Sequence, residues 1–250
     1  MKRRLKHGLK PAAAGMAVIA AATLVTPAAH ALVVPLTLTN IGPDPDRSTT
    51  TVFRAELTGI GLTKIESLSI ADSDSGIGGS AGIFSGFDLD AVFLDIDGDL
   101  TTIEDRIYGS TFDFSAGTTR PTSNPNQQPT SSHPGPTFGS LSATAIDFAT
   151  ATPNAIDGVS IPSVSIADGF LSLGDGGSLR VGFGPPVVIP SSLYLMLGEV
   201  GTSRGELVAA DVFVSDDPIV PEVPAPATLA LLGMGLAAMG SFRRRRPVRP

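Results

Sequence analysis

The sequence predicts an all-β body, a sandwich of antiparallel sheets, and three observations carry that prediction. Short runs of β-branched and apolar residues recur between Gly, Asp, Ser and Pro throughout residues 32–220. No stretch of this region sustains the i, i+3, i+4, i+7 spacing of an amphipathic helix. Turn-forming segments sit between strand-like runs in two places. One is Phe170–Leu173, then GDGGS, then Leu179–Phe183; the other is SLYLMLGEVG followed by GELVAADVFVS. Both read as hairpins, because glycine supplies the positive φ of a tight turn. About 190 residues are enough for one substantial core, and a 42% hydrophobic share excludes a disordered acidic tail. A β-helix is the second architecture, but no fixed repeat period supports it.

The chain begins MKRRLKHGLK and continues into an apolar run of Ala, Val, Ile and Leu that ends at Ala29-His30-Ala31. A basic stretch, a short apolar run and small residues at Ala29 and Ala31 predict a signal peptide over residues 1–31, cleaved after Ala31. Export through the Sec machinery follows from that reading. The Arg3-Arg4 pair is what any basic leader supplies, so it does not point to twin-arginine export.

The body carries the acid. All 24 acidic residues lie between Asp44 and Glu222, against only seven basic ones there, a local net charge of −17. The −7 of the whole chain averages this with two basic ends. Nucleic acid is excluded as a partner, because phosphate contacts need clustered cations. Strands are expected near Leu32–Leu38, Thr51–Leu57, Ile65–Ala71, Phe87–Leu94, Arg106–Phe114, Leu141–Phe148, Ser163–Leu173, Leu179–Phe183, Leu193–Val200 and Glu206–Val214. Thr37–Thr50 reads as turn-rich. Residues 117–137 hold five prolines and hardly an apolar side chain, which predicts a flexible, disordered surface loop inserted in a single sandwich.

Catalytic chemistry is sparse. With His7 and His30 in the leader, His133 is the one histidine of the body, and it lies in the 117–137 loop. Cysteine is absent, which removes disulfides, thiolate metal sites and cysteine nucleophiles. No G-x-S-x-G, H-E-x-x-H or phosphate-binding loop occurs. A two-carboxylate glycoside hydrolase is compatible with residue type, but tryptophan, a common sugar platform, is absent. The expectation is that the protein is not an enzyme. One constellation stands out, FSGFDLDAVFLDIDGDLTTIEDR from Phe84 to Arg106, in which Asp95, Asp97 and Asp99 alternate and Glu104 and Asp105 follow. Repeated Asp around a Gly offers the hard oxygens that Ca²⁺ takes. Leu100 and Arg106 stand where an EF-hand requires Gly and Glu. The pattern therefore reads first as a solvated acidic turn, with Asp local backbone bonds favouring it. Ca²⁺ ligation by Asp95, Asp97 and Asp99 is the second reading. Asp72, Asp74 and Gly76 form a weaker copy.

At the C-terminus, Pro221, Pro224 and Pro226 precede an uncharged stretch, Ala225–Phe242, and then Arg243, Arg244, Arg245 and Arg246. Eighteen residues make a helix of about 27 Å, enough to span a hydrocarbon core of about 30 Å. A transmembrane helix over 225–242 is expected, with the basic tail 243–250 held in the cytoplasm as a stop signal and the acidic body outside.

This tail resembles the PEP-CTERM sorting signal, which combines a Pro-Glu-Pro motif, an apolar helix and a terminal basic cluster. The family pattern V-P-E-P-A-T-L falls on Val223, Pro224, Ala225, Pro226, Ala227, Thr228 and Leu229, with Ala225 in place of the usual Glu and Glu222 nearby. The resemblance covers residues 221–250, and the signal peptide at the other end fits it. It implies processing near the motif by an exosortase, a membrane transpeptidase-like enzyme of Gram-negative bacteria that make exopolysaccharide. It thus implies an exported protein, held transiently in the inner membrane and then released to the cell surface or beyond. The function expected is that of a non-catalytic surface or biofilm-matrix protein, with exopolysaccharide as a partner of its acidic face. A Ca²⁺-dependent carbohydrate-binding module is the alternative, and a secreted glycoside hydrolase comes after it.

Overall fold

A computed structural model describes residues 31–161, 166–201 and 210–219. The signal peptide and the C-terminal helix expected from the sequence lie outside the described residues. Among the described residues, fifteen strands follow one another. The first nine are β1 (Val33–Pro35), β2 (Thr39–Pro43), β3 (Thr50–Glu56), β4 (Lys64–Asp72), β5 (Asp88–Asp95), β6 (Ile107–Tyr108), β7 (Thr111–Ser115), β8 (Ser140–Ser142) and β9 (Ala145–Ile146). Then come β10 (Val159–Ile161), β11 (Ile166–Asp168), β12 (Leu171–Ser172), β13 (Ser178–Val188), β14 (Tyr194–Val200) and β15 (Ala210–Ser215). Two 3₁₀ turns, Gly82–Phe84 and Pro125–Gln127, complete the regular structure, and there is no α-helix among the described residues.

Two antiparallel sheets form the body. The first has the order β1-β15-β4-β13-β7 and the second β12-β5-β14-β3-β2, with β6 beside β5. Their facing sides share one buried cluster. Ile65, Leu68 and Ile70 of β4, Leu179 and Val181 of β13, and Val212 and Val214 of β15 enter it from one sheet. Phe53 and Ala55 of β3, Leu89, Val92 and Leu94 of β5, and Leu195 and Leu197 of β14 enter it from the other. This is the sandwich arrangement that period-2 patterning predicts.

The second sheet is covered on its outer face as well. Val52, Ala91, Phe93 and Met196 form a separate cluster there, with Ile41 of β2, Tyr194 of β14 and the loop residues Leu100 and Ile156 packed on it. That double cover explains why every residue of β5 is buried and why its sequence reads as a continuous apolar run broken only by Asp. A third cluster joins Ile83, Phe138, Phe170 and Val200, with the Phe138 and Phe170 rings 4.5 Å apart.

Both expected hairpins are absent, and the correction has one cause. β12 pairs with β5 in the second sheet, whereas β13 pairs with β4 and β7 in the first. The GDGGS segment therefore carries the chain across the sandwich rather than back along one sheet. In the same way β14 pairs with β3 and β5, while β15 pairs with β1 and β4. A glycine-rich turn shows where the chain reverses, but not which edge the next strand joins.

Smaller differences follow from glycine and proline. Part of the turn-rich Thr37–Thr50 stretch forms β2 on the outer edge of the second sheet, where Pro43 costs no interior ladder bond. The run Leu141–Phe148 divides into β8 and β9, and Ser163–Leu173 divides around Gly169 into β11 and β12. Residues 117–137, expected as a flexible loop, are largely exposed, but their start is fastened to the body. Gly117 donates to the Leu173 carbonyl at 2.8 Å, Thr118 and Asp175 exchange backbone bonds, and Gly82 donates to the Arg120 carbonyl at 2.8 Å. All of these partners are distant in sequence.

Candidate functional site

The acidic turn begins where β5 leaves the sheet. Asp95 continues the outward face of Ala91 and Phe93 and is itself 0% exposed. Its Oδ1 accepts the Gly98 N–H at 2.6 Å, which closes the turn. Gly98 has φ +74°, and a Cβ there would stand 2.7 Å from the Tyr194 ring, so the position requires glycine. The turn is braced from outside. Arg54 donates to the Gly98 carbonyl at 2.9 Å and lies over the Tyr194 ring, and Ser192 donates to the Ile96 carbonyl at 2.8 Å. Arg106 donates to the Leu100 carbonyl at 2.7 Å and stacks over Phe93, 4.6 Å from its centroid.

Within this frame the three aspartates singled out from the sequence separate. Asp97 Oδ1 accepts the Asp99 N–H at 3.0 Å. Asp99 Oδ1 accepts from the Thr101 backbone and hydroxyl at 2.5 and 2.7 Å and from the Thr102 N–H at 3.2 Å. Asp99 thus serves as the cap of its own turn, and the Thr101 bonds hold its carboxyl below the usual carboxylate range. The third carboxylate beside Asp95 and Asp97 is Asp105, and the ligand oxygens of these three lie within 4.8 Å of one another. Burial is the main force pushing Asp95 up to about 6, against the Gly98 bond and with the charge of Asp105 and the side-chain hydrogen bond and charge of Asp97 adding to it.

The Asp72–Asp74 pair lies in a different setting. Asp72 Oδ1 accepts the N–H groups of Asp74 and Gly176 at 3.1 and 3.0 Å. Asp175 joins them, and Arg120 faces it, Nε to Oδ2 at 3.6 Å. The same guanidinium donates to the carbonyls of Gly76, Gly78, Gly79 and Ser80. Burial nevertheless pushes the Asp175 carboxyl up, against the pull of Arg120. This acidic cluster already has a protein cation.

Asp90 also lies wholly inside the fold, and no ion pair among the described residues reaches it. The β5–β14 register slips between Leu89 and Ala91, so Asp90 is the extra residue of a bulge. Its Oδ1 accepts the N–H groups of Asp157 and Gly158 at 3.0 and 2.7 Å, and its Oδ2 accepts the Thr50 hydroxyl. Burial pushes this carboxyl up to about 6, although the Thr50 and backbone bonds favour the charged form. His133 lies partly exposed with its ring 4.9 Å from that of Phe138, and its backbone exchanges hydrogen bonds with that of Thr130.

Sequence reasoning noted Asp105 only as following the alternation, not as a ligand, and gave no role to Asp90 or Arg120. Asp105 lies ten residues beyond Asp95, outside the D-x-D-x-D alternation, and only the closing of the turn returns it. For Asp90 a signal existed: a charged residue inside a run that is otherwise strand core.

The sorting residues Val223, Pro224, Ala225, Pro226, Ala227 and Thr228, the arginines Arg243–Arg246 and the leader residue Ala29 lie outside the described residues. Their assignment rests on sequence. A family model for the PEP-CTERM protein-sorting motif matches residues 222–246. The chain carries a PEP-CTERM protein-sorting motif. The match starts at Glu222 and runs through Ala225, the apolar stretch and all four arginines. Carrying it implies an exported, membrane-transiting protein sorted by an exosortase. No curated protein and no solved structure matches the chain.

Proposed function

We propose that this protein is a non-catalytic component of the bacterial cell surface or biofilm matrix, delivered by its two ends and acting through its acidic sandwich. The PEP-CTERM match over residues 222–246 is the observation that carries this reading. Residues 1–31 engage the Sec machinery and are removed after Ala31. The apolar stretch 225–242 then stops in the inner membrane, because Arg243–Arg246 resist translocation. An exosortase acts on the segment Val223–Thr228, where closely spaced prolines keep the backbone extended and accessible just outside the bilayer. The released body keeps its local charge of −17, which maintains solubility by self-repulsion and favours association with exopolysaccharide through divalent cations.

The test is the intact mass and cell fraction of the protein in its native cell. The expected product lacks residues 1–31 and most of the sequence after the motif, and it sits outside the inner membrane. Deleting Arg243–Arg246, or scrambling Val223–Thr228, should leave a longer form in the membrane fraction. A mass and location indifferent to both changes would overturn the sorting reading.

A further inference from the structure

We propose that Asp95, Asp97 and Asp105 form a calcium site on the outer face of the second sheet, built on the end of β5 and closed by the 95–106 turn. Three carboxylates whose ligand oxygens lie within 4.8 Å of one another set up the charge. The observation that separates them from an ordinary acidic surface is the state of Asp95. The residue belongs to this cluster and is 0% exposed, its Oδ1 accepts the Gly98 N–H, and its Oδ2 is buried with no hydrogen-bond partner. Asp105 Oδ1 is also buried without a partner. Two acceptor oxygens withdrawn from water and given no donor are what a metal ion satisfies, and an apolar environment does not.

The hydrogen bonds and ring contacts of the nearby arginines go to groups other than the three aspartates. Arg54 donates to the Gly98 carbonyl and lies over the Tyr194 ring, and Arg106 donates through Nη2 to the Leu100 carbonyl and lies over the Phe93 ring. Among the described residues, the ion pairs join Lys64 to Glu66, Arg120 to Asp175 and Arg180 to Asp113, and none reaches this cluster. The Asp72–Asp175 cluster shows the alternative solution in the same chain, an arginine paired with one of the acids. At Asp95 the corresponding place is left for a cation from solution.

Calcium fits better than magnesium. Ca²⁺ takes about six to eight oxygens in flexible geometry, whereas Mg²⁺ demands strict octahedral order. A turn that mixes one buried and two more accessible aspartates suits the larger, more tolerant ion. Water completes its shell on the exposed side, at Asp97. Asp99 is not a ligand, because its carboxylate is spent on Thr101 and Thr102.

This inference does not depend on the sorting reading, and its test is separate. The full-length protein, purified in detergent and stripped with chelator, is titrated with CaCl₂ in about 0.15 M NaCl, where loose counterion binding to exposed acids is screened. One saturable site is expected with a Kd of about 10⁻⁴–10⁻³ M, the range of extracellular calcium modules. At ten times Kd the melting temperature should rise by about 3–6 °C. Asp95→Asn keeps an oxygen for the Gly98 N–H and removes the charge, and it should weaken binding at least tenfold. Asp105→Asn should do the same and serves if Asp95→Asn fails to fold. Asp99→Asn should bind within about threefold of the parent. Absence of saturable binding at 10 mM Ca²⁺, or affinity unchanged in Asp95→Asn or Asp105→Asn, would overturn the site. Loss of binding in Asp99→Asn would overturn the ligand set, and equal affinity for Mg²⁺ would overturn the metal.

Discussion

The Asp90 carboxylate offers the sharpest test of how this sandwich is held together. It sits in a β-bulge at 0% exposure, and burial raises its pKa from 3.8 to about 6. A raised folded-state value means that the folded protein holds this proton more tightly than the unfolded chain does. The stabilisation is therefore fully present below about pH 4 and is lost as pH rises through about 6. With one pKa unit worth about 1.4 kcal/mol, linkage gives a loss of about 2 kcal/mol between pH 4.5 and 7.5 from this single group. Asp90→Asn removes the titration and keeps the shape. Its Oδ1 can still accept from Asp157 and Gly158, and Thr50 can rotate its hydroxyl to accept from the new amide. Urea unfolding followed by far-UV circular dichroism, at pH 4.5 and 7.5, reads the effect; with no tryptophan the usual fluorescence probe is missing. The Asp90→Asn protein should gain about 2 kcal/mol on the parent between the two pH values. A difference independent of pH, or a variant less stable than the parent at pH 7.5, would refute the reasoning. Asp90→Ala is the contrast, since it strands two buried N–H groups and should cost about 2–4 kcal/mol at either pH.

Two further substitutions probe the covers of the sandwich. Phe138→Ala empties the centre of the Phe84–Phe138–Phe170 group and should cost about 3–5 kcal/mol in urea unfolding. Phe148→Ala, at a ring 57% exposed, should cost under about 1 kcal/mol. Arg120→Ala leaves Asp175 without its cation and frees the carbonyls of Gly76, Gly78, Gly79 and Ser80. A loss of about 2–4 kcal/mol is expected, together with faster limited proteolysis between residues 118 and 137; an unchanged cleavage rate there would show that Arg120 does not fasten the segment.

Strand positions were legible because alternation is a local property. The runs Thr51–Leu57, Ile65–Ala71 and Leu193–Val200 fall within a residue or so of β3, β4 and β14. Pairing was not legible, since the same Gly-rich turn serves a hairpin or a crossing between sheets. The acidic turn shows the same division. Asp95 and Asp97 declared themselves by spacing, whereas Asp105 entered and Asp99 left through side-chain bonds that depend on how the turn closes. The grip of Arg120 on residues 76–80 was hidden for a related reason, because it links segments some forty residues apart.

The place of β15 has a consequence for the order of events during export. It is the second strand of its sheet, between β1 and β4, yet it is the last strand of the body to be made. Until residues 210–215 emerge, β1 has no partner and one edge of β4 stays open, so the sandwich cannot close on a partly translocated chain. Its last fastenings, Leu32 N–H to Asp216 and the Ser67 hydroxyl to the Asp217 carbonyl at 2.7 Å, come just before the PEP-CTERM match begins at 222. A cut inside the motif thus falls beyond every strand among the described residues, and the body they form can be finished first and detached afterwards.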